Sequence, residues 1–346
     1  MSETKLAVVV LNYNGKHFLE KFLHGIISFS GDSQIYVADN KSTDDSLAFL
    51  RTNFPSVHII ENEGNYGYAM GYSKALSKIK AEYFVLLNSD VEVTQNWTQP
   101  IIEYMERDKH IAACQPKILD YKHRNLFEYA GASGGFIDTY GYPFCRGRLF
   151  NHIETDKGQY NNATEIFWAS GACLFVRASA YYEAGGLDNR YFAHMEEIDL
   201  CWRLRNFGNK IMVVPESVVY HIGGGTLNKY SHHKTFLNFR NNLTTLTKNH
   251  PPGFLFLKII YRMMLDGVAA FKFLFDGQPR HFIAVIHAHF IYYAWLPYIL
   301  AERRRLRNSK GFRYTRSAIY KGNIVKQHFL LKRKTYSELT EGYFEN

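Results

Sequence analysis

The chain has 346 residues, 46% of them hydrophobic and 16% aromatic, with a formal net charge of +9. This is enough apolar mass for a large packed domain plus an appendage, and the positive balance points to an anionic partner: a nucleotide, a phospholipid surface or nucleic acid. The four cysteines, Cys114, Cys145, Cys173 and Cys201, form no C-x-x-C pair; that excludes zinc-ligand spacing and suits a reducing compartment.

The first residues, "MSETKLAVVVLNYNGK", carry an apolar run too short for a signal h-region, without a basic lead, so a cytoplasmic start is expected. "LAVVVLNY" reads as a strand buried on both faces, and "HFLEKFLHGIISF" as a helix. "QIYVADN" is a second strand, followed by the helix "STDDSLAFLRTNF", with Ser42 or Thr43 as its expected cap. "VHIIEN", "YAMGYSKALSKIK" and "YFVLLNSD" continue the alternation. This pace predicts an α/β fold, a mostly parallel sheet with helices on both faces. Polar residues gather where these strands end, at 12–14, 39–40, 62 and 88–90, the edge where open α/β sheets bind ligands.

From about 100 to 190 the pattern loosens. "GASGGFIDTYGYPFCRGRLF" reads as loop or short hairpins, and "EIFWASGACLFVRASAYYEAGG" as a strand and then a helix closed by Gly185-Gly186. "YFAHMEEIDLCWRLRNFG" opens a helix with aromatics, His194 and three acids. "KIMVVPESVVYHIGGG" reads as two short strands around a proline. After residue 250 come two long aromatic, apolar runs, each interrupted by charged residues or histidines, and a basic tail beginning "ERRRLRNSKGFRYTR". Amphipathic helices lying on a membrane surface account for apolar faces with basic flanks. A helical subdomain packed on the core and a spanning helix are the alternatives, 281–301 being the stronger candidate to span. Residues 1–250 are therefore expected to be one domain, and 251–346 a helical, basic extension.

Several residues suit chemistry. Asp39 ends a strand and can accept hydrogen bonds from a base or ribose. Gly67, in "GNYGYAMG", lets backbone approach a ligand, although the stretch is not a dinucleotide fingerprint. Asp90, in "LLNSDVEV", can hold Mg²⁺ or Mn²⁺ against a diphosphate, although a lone aspartate is more often a turn residue. His221 precedes Gly223 to Gly225, which free the backbone to fold over a phosphate. Glu196, Asp199 and Arg203 share one helix face, and Asp199–Arg203 suits an i,i+4 ion pair. First-turn acids gain only ~0.5 kcal/mol each from the helix dipole, which leaves the surrounding aromatics and His194 unexplained. A general base pointing into a cleft accounts for them.

Taken in order, "VVVLNYNG", "VADNKSTDDS", "GNYGYAMGYSKAL", "YFVLLNSDVEV", "WASGACLFVRASAYYEAGGLDNRYFAHMEEIDLCWRLRNFG" and "VPESVVYHIGGGT" resemble the family 2 glycosyltransferases of the GT-A fold, in the rhamnosyltransferase-like bacterial branch. The resemblance covers about residues 4–250. It implies a nucleotide-sugar donor (UDP- or dTDP-linked), a divalent cation, Mg²⁺ or Mn²⁺, and inversion at the anomeric carbon. The acceptor it implies is a saccharide, lipid-linked at the inner face of the cytoplasmic membrane, in cell-surface polysaccharide synthesis. The family's D-x-D motif matches Asn88-Ser89-Asp90, with Asp90 the main carboxylate on the metal and His221 completing that site. Its Glu-Asp pair matches Glu196-Glu197, with Glu197 favoured as the base. By the same resemblance Asn12, Tyr13, Asn14, Asp39, Asn65, Gly67, Asn88 and Ser89 bind the nucleotide, and Trp168, Gly171, Ala172 and Asp199 shape the acceptor pocket.

Two rivals stand beside this reading. A nucleotidyltransferase needs an early basic, Gly-rich signature, for which "LNYNGKHF" offers only Lys16. A non-catalytic sugar-nucleotide-binding or membrane-assembly protein would not need the acids at 90, 196, 197 and 199. No nucleic-acid recognition module is visible, so nucleic acid is not an expected partner.

Overall fold

The structure is a computed structural model that describes residues 4–223 and 231–339. The chain begins β1 (Thr4–Asn12), α1 (Lys16–Phe29), β2 (Gln34–Asp39), α2 (Ser46–Asn53), β3 (His58–Glu61), α3 (Gly67–Leu76) and β4 (Ala81–Asn88). These strands lie parallel in the order β4-β1-β2-β3. The unbroken apolar run of β1 has a direct cause: Val8 and Val10 pack with Leu19, Leu23 and Ile26 of α1, while Ala7 and Val9 pack with Ala69 and Tyr72 of α3. Asn12 pairs in register with Asp39, and Leu11 with Asn88, so the strands end together on one edge.

Ser42 and Thr43 do not cap α2, which starts later, at Ser46. Ser42 instead ties the strand ends together: its hydroxyl donates to Asp39 (2.6 Å) and accepts from Asn12 Nδ2 (3.1 Å).

Next come β5 (Val91–Val93), α4 (Gln99–Arg107), β6 (Ile111–Asp120), the short strands β7 (Gly135–Asp138), β8 (Pro143–Cys145), β9 (Arg148–Leu149), β10 (His152–Ile153) and β11 (Thr164–Ile166), then β12 (Cys173–Arg177), α5 (Ala178–Glu183), α6 (Glu196–Asn206) and β13 (Lys210–His221). The full sheet order is β11-β13-β6-β12-β4-β1-β2-β3, with β5 on β13. This half is mixed, because β12 enters antiparallel between β4 and β6. It follows a long excursion from β6 rather than a helical crossover, so nothing forces it parallel. The expected pair of strands around Pro215 is one strand, β13: its parallel register with β6 shifts between Val214 and Val218, and the proline sits in that irregularity. The Gly-rich excursion forms a second small sheet, β10-β9-β8-β7.

Three helices follow: α7 (His232–Asn249), α8 (Leu255–Phe275) and α9 (Pro279–Arg307). α7 packs along α9 through a Thr247–Tyr292 hydroxyl pair (2.7 Å) and a stack of Phe236 on His287. Arg303 of α9 donates to the carbonyls of Thr247 and His250 at the end of α7. The segment after α9 does not stay with the helices. It returns to the small sheet, where β14 (Ile319–Tyr320) pairs with β7 and Ile324 N donates to Asp138.

Candidate active site

A cavity of about 490 Å³ opens at the shared strand edge. Its wall takes Asn12 and Tyr13 from the end of β1, and Asn65, Gly67 and Tyr68 from the entry to α3. Asn88, Ser89 and Asp90 come from the β4–β5 turn, Ser170 to Ala172 from the approach to β12, and Glu196 and Glu197 from α6.

At one end the backbone brings Asp90 and His221 together. His221 pairs with Val91 across β5–β13, and Ile222 N donates to the Asp90 carbonyl (3.1 Å). His221 Nε2 lies 3.1 Å from Asp90 Oδ1, and Nδ1 lies 3.3 Å from Glu128 Oε1, an ion contact without hydrogen-bond alignment. All three residues are buried. Burial pulls the imidazole pKa down, but the two carboxylates outweigh it and lift His221 to about 10.

The cavity wall carries five carboxylates (Asp90, Asp120, Glu128, Glu196 and Glu197), and its described cationic side chains are Lys234 and the raised His221. Glu196 Oε2, Glu197 Oε2, His194 Nε2 and His221 Nδ1 are buried without a hydrogen-bond partner. Excess acid and orphaned polar atoms fit a hard divalent cation. Among the described residues no three His, Cys, Asp or Glu side chains form a ready metal cage. The donor set therefore suits an ion that takes much of its shell from phosphate oxygens and water.

At the other end, Glu196 and Glu197 occupy the first turn of α6, which begins after Met195 in the left-handed region (φ +72°). Phe192 and His194 are also left-handed, at +66° and +70°; each such non-glycine residue costs on the order of 1–3 kcal/mol. Gly67 lets α3 approach this run, since a Cβ there would stand 2.5 Å from the Phe192 carbonyl. Tyr68 N (2.7 Å) and Ala69 N (3.2 Å) donate to that carbonyl. Burial raises Glu197 to about 7, against the backbone N–H groups that lower it. Burial, then the Glu197 charge, holds Glu196 well above the carboxylate range. His194 is driven down to about 3 by burial and by Lys234 and His233, so it is neutral.

Of the residues singled out in the sequence, Asn12, Tyr13, Asn65, Gly67, Asn88, Ser89, Asp90, Gly171, Ala172, Glu196, Glu197 and His221 line the cavity. Four lie elsewhere. Asp39 is fully buried behind the cavity, accepting from Asn12 Nδ2 (2.9 Å), Ser42 N (2.7 Å) and Ser42 Oγ (2.6 Å), so it braces the edge from behind. Asn14 turns its Oδ1 to Thr43 N (2.7 Å). Trp168 lies in the core against Gly135, with its indole N–H on the Phe136 carbonyl (2.8 Å). Asp199 is fully buried between Arg203, Lys248 and Asn249. Neither Trp168 nor Asp199 forms part of an acceptor wall, because both are consumed by packing and ion pairing. Gly224 and Gly225 lie outside the described residues.

Glu128, Asp120, Tyr68 and Lys234 line the cavity without having been singled out. Glu128 follows the buried Phe127 in a stretch with no clear period. It is placed by Glu128 N donating to the Ile118 carbonyl (3.0 Å), and it meets His221 only through the fold.

Comparison with known proteins agrees with this geometry. Residues 7–184 match Glycosyl transferase family 2. The chain is 24% identical over 269 residues to an N-acetylglucosaminyl-diphospho-decaprenol L-rhamnosyltransferase of Mycobacterium tuberculosis, covering 73% of this chain and 83% of that protein. It is 23% identical over 235 residues to the rhamnosyltransferase WbbL of Escherichia coli, covering 65% and 83%. Among solved structures, a mannosyltransferase of Pyrobaculum calidifontis in complex with GDP-Man and Mn²⁺ aligns with a TM-score of 0.51 at 13% identity, covering 90% of this chain and 82% of that one. GalNAc-T7 with UDP, GalNAc and Mn²⁺ aligns at 0.55 and 16%, covering 71% and 48%. The family match spans more than half the chain and the cavity sits on the strand edge of that fold, so the chain belongs to glycosyl transferase family 2 and is a glycosyltransferase of GT-A fold.

Proposed function

We propose that this enzyme moves a sugar, with inversion, from a UDP- or dTDP-linked donor to a saccharide acceptor carried on a lipid, in the synthesis of a cell-surface glycan. The observation that carries the reading is the composition of one cavity: strand-end amides, the Asp90–His221 pair and the raised carboxyl of Glu197. The named rhamnosyltransferase relatives support the glycan setting.

Asn12, Tyr13, Asn65, Asn88 and Ser89 are the groups available to hold the nucleotide. Asp90, and His221 once the ion has displaced its proton, would hold a divalent cation, Mg²⁺ or Mn²⁺, which would supply positive charge to the leaving diphosphate. Glu197 takes the acceptor hydroxyl proton as that oxygen bonds to the anomeric carbon. The bond from that carbon to the diphosphate breaks on the opposite face, and the nucleoside diphosphate leaves with its electron pair. Burial and the neighbouring Glu197 push the Glu196 carboxyl upward, which favours Glu197 over Glu196 as the base.

Support for a lipid-borne acceptor comes from the helices. Leu257, Ile260, Met264, Val268, Phe271 and Phe275 recur every three or four residues along α8 and are exposed, Phe275 by 85%. Ile283, Ile286, Phe290 and Tyr293 do the same on α9, which ends in Arg304, Arg305 and Arg307. An apolar face of this extent with a basic end suits an anionic bilayer surface. α9 is, among the described residues, the one helix long and apolar enough to cross a membrane. Its other face is committed to α7, with Val285, Ala288, Tyr292 and Ile299 buried, which favours lying in the interface. These features support a position on the inner face of the cytoplasmic membrane.

The test is metal-dependent hydrolysis across a panel of sugar nucleotides, then transfer to a polyprenyl-diphospho-saccharide. Release of nucleoside diphosphate only with Mg²⁺ or Mn²⁺ is expected, and hydrolysis unaffected by chelator would refute the metal assignment.

A further inference from the structure

The acid pair depends on a backbone that does not hold itself. Three of the four residues before Glu196 are left-handed without being glycine. The carbonyls of Tyr191, Ala193 and His194, which flank and enter that run, converge on one side chain from a distant helix. Asn241 of α7 is fully buried, and its Nδ2 lies 3.1 Å from the Tyr191 carbonyl, 3.0 Å from Ala193 and 2.7 Å from His194. An amide NH₂ has two hydrogens, so these three contacts exhaust it, one hydrogen being shared. Arg240 Nη2 adds a second donor to the Tyr191 carbonyl (3.1 Å), and Arg240 Nε ties Asn241 Oδ1 in place (2.9 Å). From the opposite side the first amides of α3 hold the Phe192 carbonyl.

We infer that Asn241 is a positioning residue: its amide gathers the carbonyls of residues 191, 193 and 194, fixes the left-handed run, and so aims Glu197 at the acceptor. This rests on the reading of Glu197 as base. Carbonyls turned this way need donors placed to meet them, and the amide that meets these is itself fully buried. Asn241, like Glu197, lies beyond the segment that matches the family, and the helix that carries it also packs on α8 and α9. Arg240 stacks on Trp295 of α9 at 4.3 Å.

The test uses the full chain with Asn241→Asp, which keeps shape but sets a carboxylate against three carbonyls, and Asn241→Thr, which keeps one donor. Both should lower kcat, Asp by ~10²-fold and Thr by less, with donor KM within about threefold of wild type. The acid limb of the kcat/KM profile should move, because the carboxyl's surroundings change. Hydrogen exchange should quicken at residues 193–198 and not in the β1–β4 sheet. A folded variant with wild-type kcat, unshifted acid limb and unchanged exchange overturns the inference. If Glu197→Gln retains turnover, the base assignment fails; faster exchange at 193–198 in the Asn241 variants still decides the clamp, and its absence sinks it.

Discussion

His221 Nε2 stands 3.1 Å from Asp90 Oδ1, while Glu128 faces its other nitrogen at 3.3 Å, so one imidazole spans two buried carboxylates. If His221 meets the cation as proposed, Glu128 is the carboxylate facing its other ring nitrogen, held by charge rather than by an aligned hydrogen bond. Asp90→Ala is expected to lower metal-dependent turnover by at least ~10²-fold, because the main anionic contact to the cation is lost. Glu128→Gln should weaken Mn²⁺ affinity by about 10- to 100-fold. Mn²⁺ binding followed by electron paramagnetic resonance checks both, and unchanged affinity in Glu128→Gln would remove that role.

As the proposed base, Glu197 must be ionised to accept a proton. Burial raises its pKa to about 7, so kcat/KM should climb through pH 7 and fall on the acid side. Glu197→Gln should lose ~10²–10⁴-fold in turnover and with it the acid limb. The same shift has a stability sign. The folded carboxyl binds its proton more tightly than the unfolded one, so this group's contribution is most favourable below pH ~4.3 and is lost as pH rises through 7. Glu197→Gln should therefore be relatively more stable than wild type above pH 7, read from denaturation midpoints.

The exposed stripe on α8 and α9 gives a prediction that leaves the cavity alone. A phenyl ring contributes ~1.5–3 kcal/mol when fully removed from water. Replacing Phe271, Phe275 and Phe290 together by serine should weaken flotation with anionic vesicles by more than ~10²-fold. Donor hydrolysis in solution should persist, since none of the three lines the cavity. Undiminished flotation would show that another surface meets the lipid.

What could be read in the sequence depended on locality. The β1–β4 alternation was legible because each strand carries its own burial pattern, and Asn12, Asn88 and Asp90 follow because strand ends share an edge. Glu197 was legible because acids and aromatics cluster within a single helix turn. Glu128 and Asn241 were not, because each acts over a long range: Glu128 reaches His221 across 93 positions of chain, and Asn241 reaches Tyr191 across 50. Asp39 and Trp168 show the reverse. Their types and places suit a ligand, but Asn12 from another strand joins the nearby Ser42 on Asp39, and Gly135 and the Phe136 carbonyl, more than thirty positions away, take the ring and N–H of Trp168.

Asp199 makes that distinction measurable. Its carboxylate receives Arg203 Nη2 (2.8 Å), Lys248 Nζ (2.9 Å) and Asn249 Nδ2 (2.7 Å), and Lys248 also reaches Asp188 (2.7 Å). The network joins α6 to α7, the two helices that carry the base and its proposed clamp. Removing Asp199 leaves buried Arg203 without its carboxylate and Lys248 with Asp188 alone; breaking a buried pair this way costs about 3–5 kcal/mol. Asp199→Ala should therefore lower the denaturation midpoint strongly. Asp199→Asn, which keeps shape and hydrogen bonding but not charge, should lower it less. At a temperature where Asp199→Asn remains folded, acceptor KM should stay within about threefold of wild type, since the residue is sealed from the cavity. A large rise in acceptor KM with an unchanged midpoint would restore it to the acceptor site.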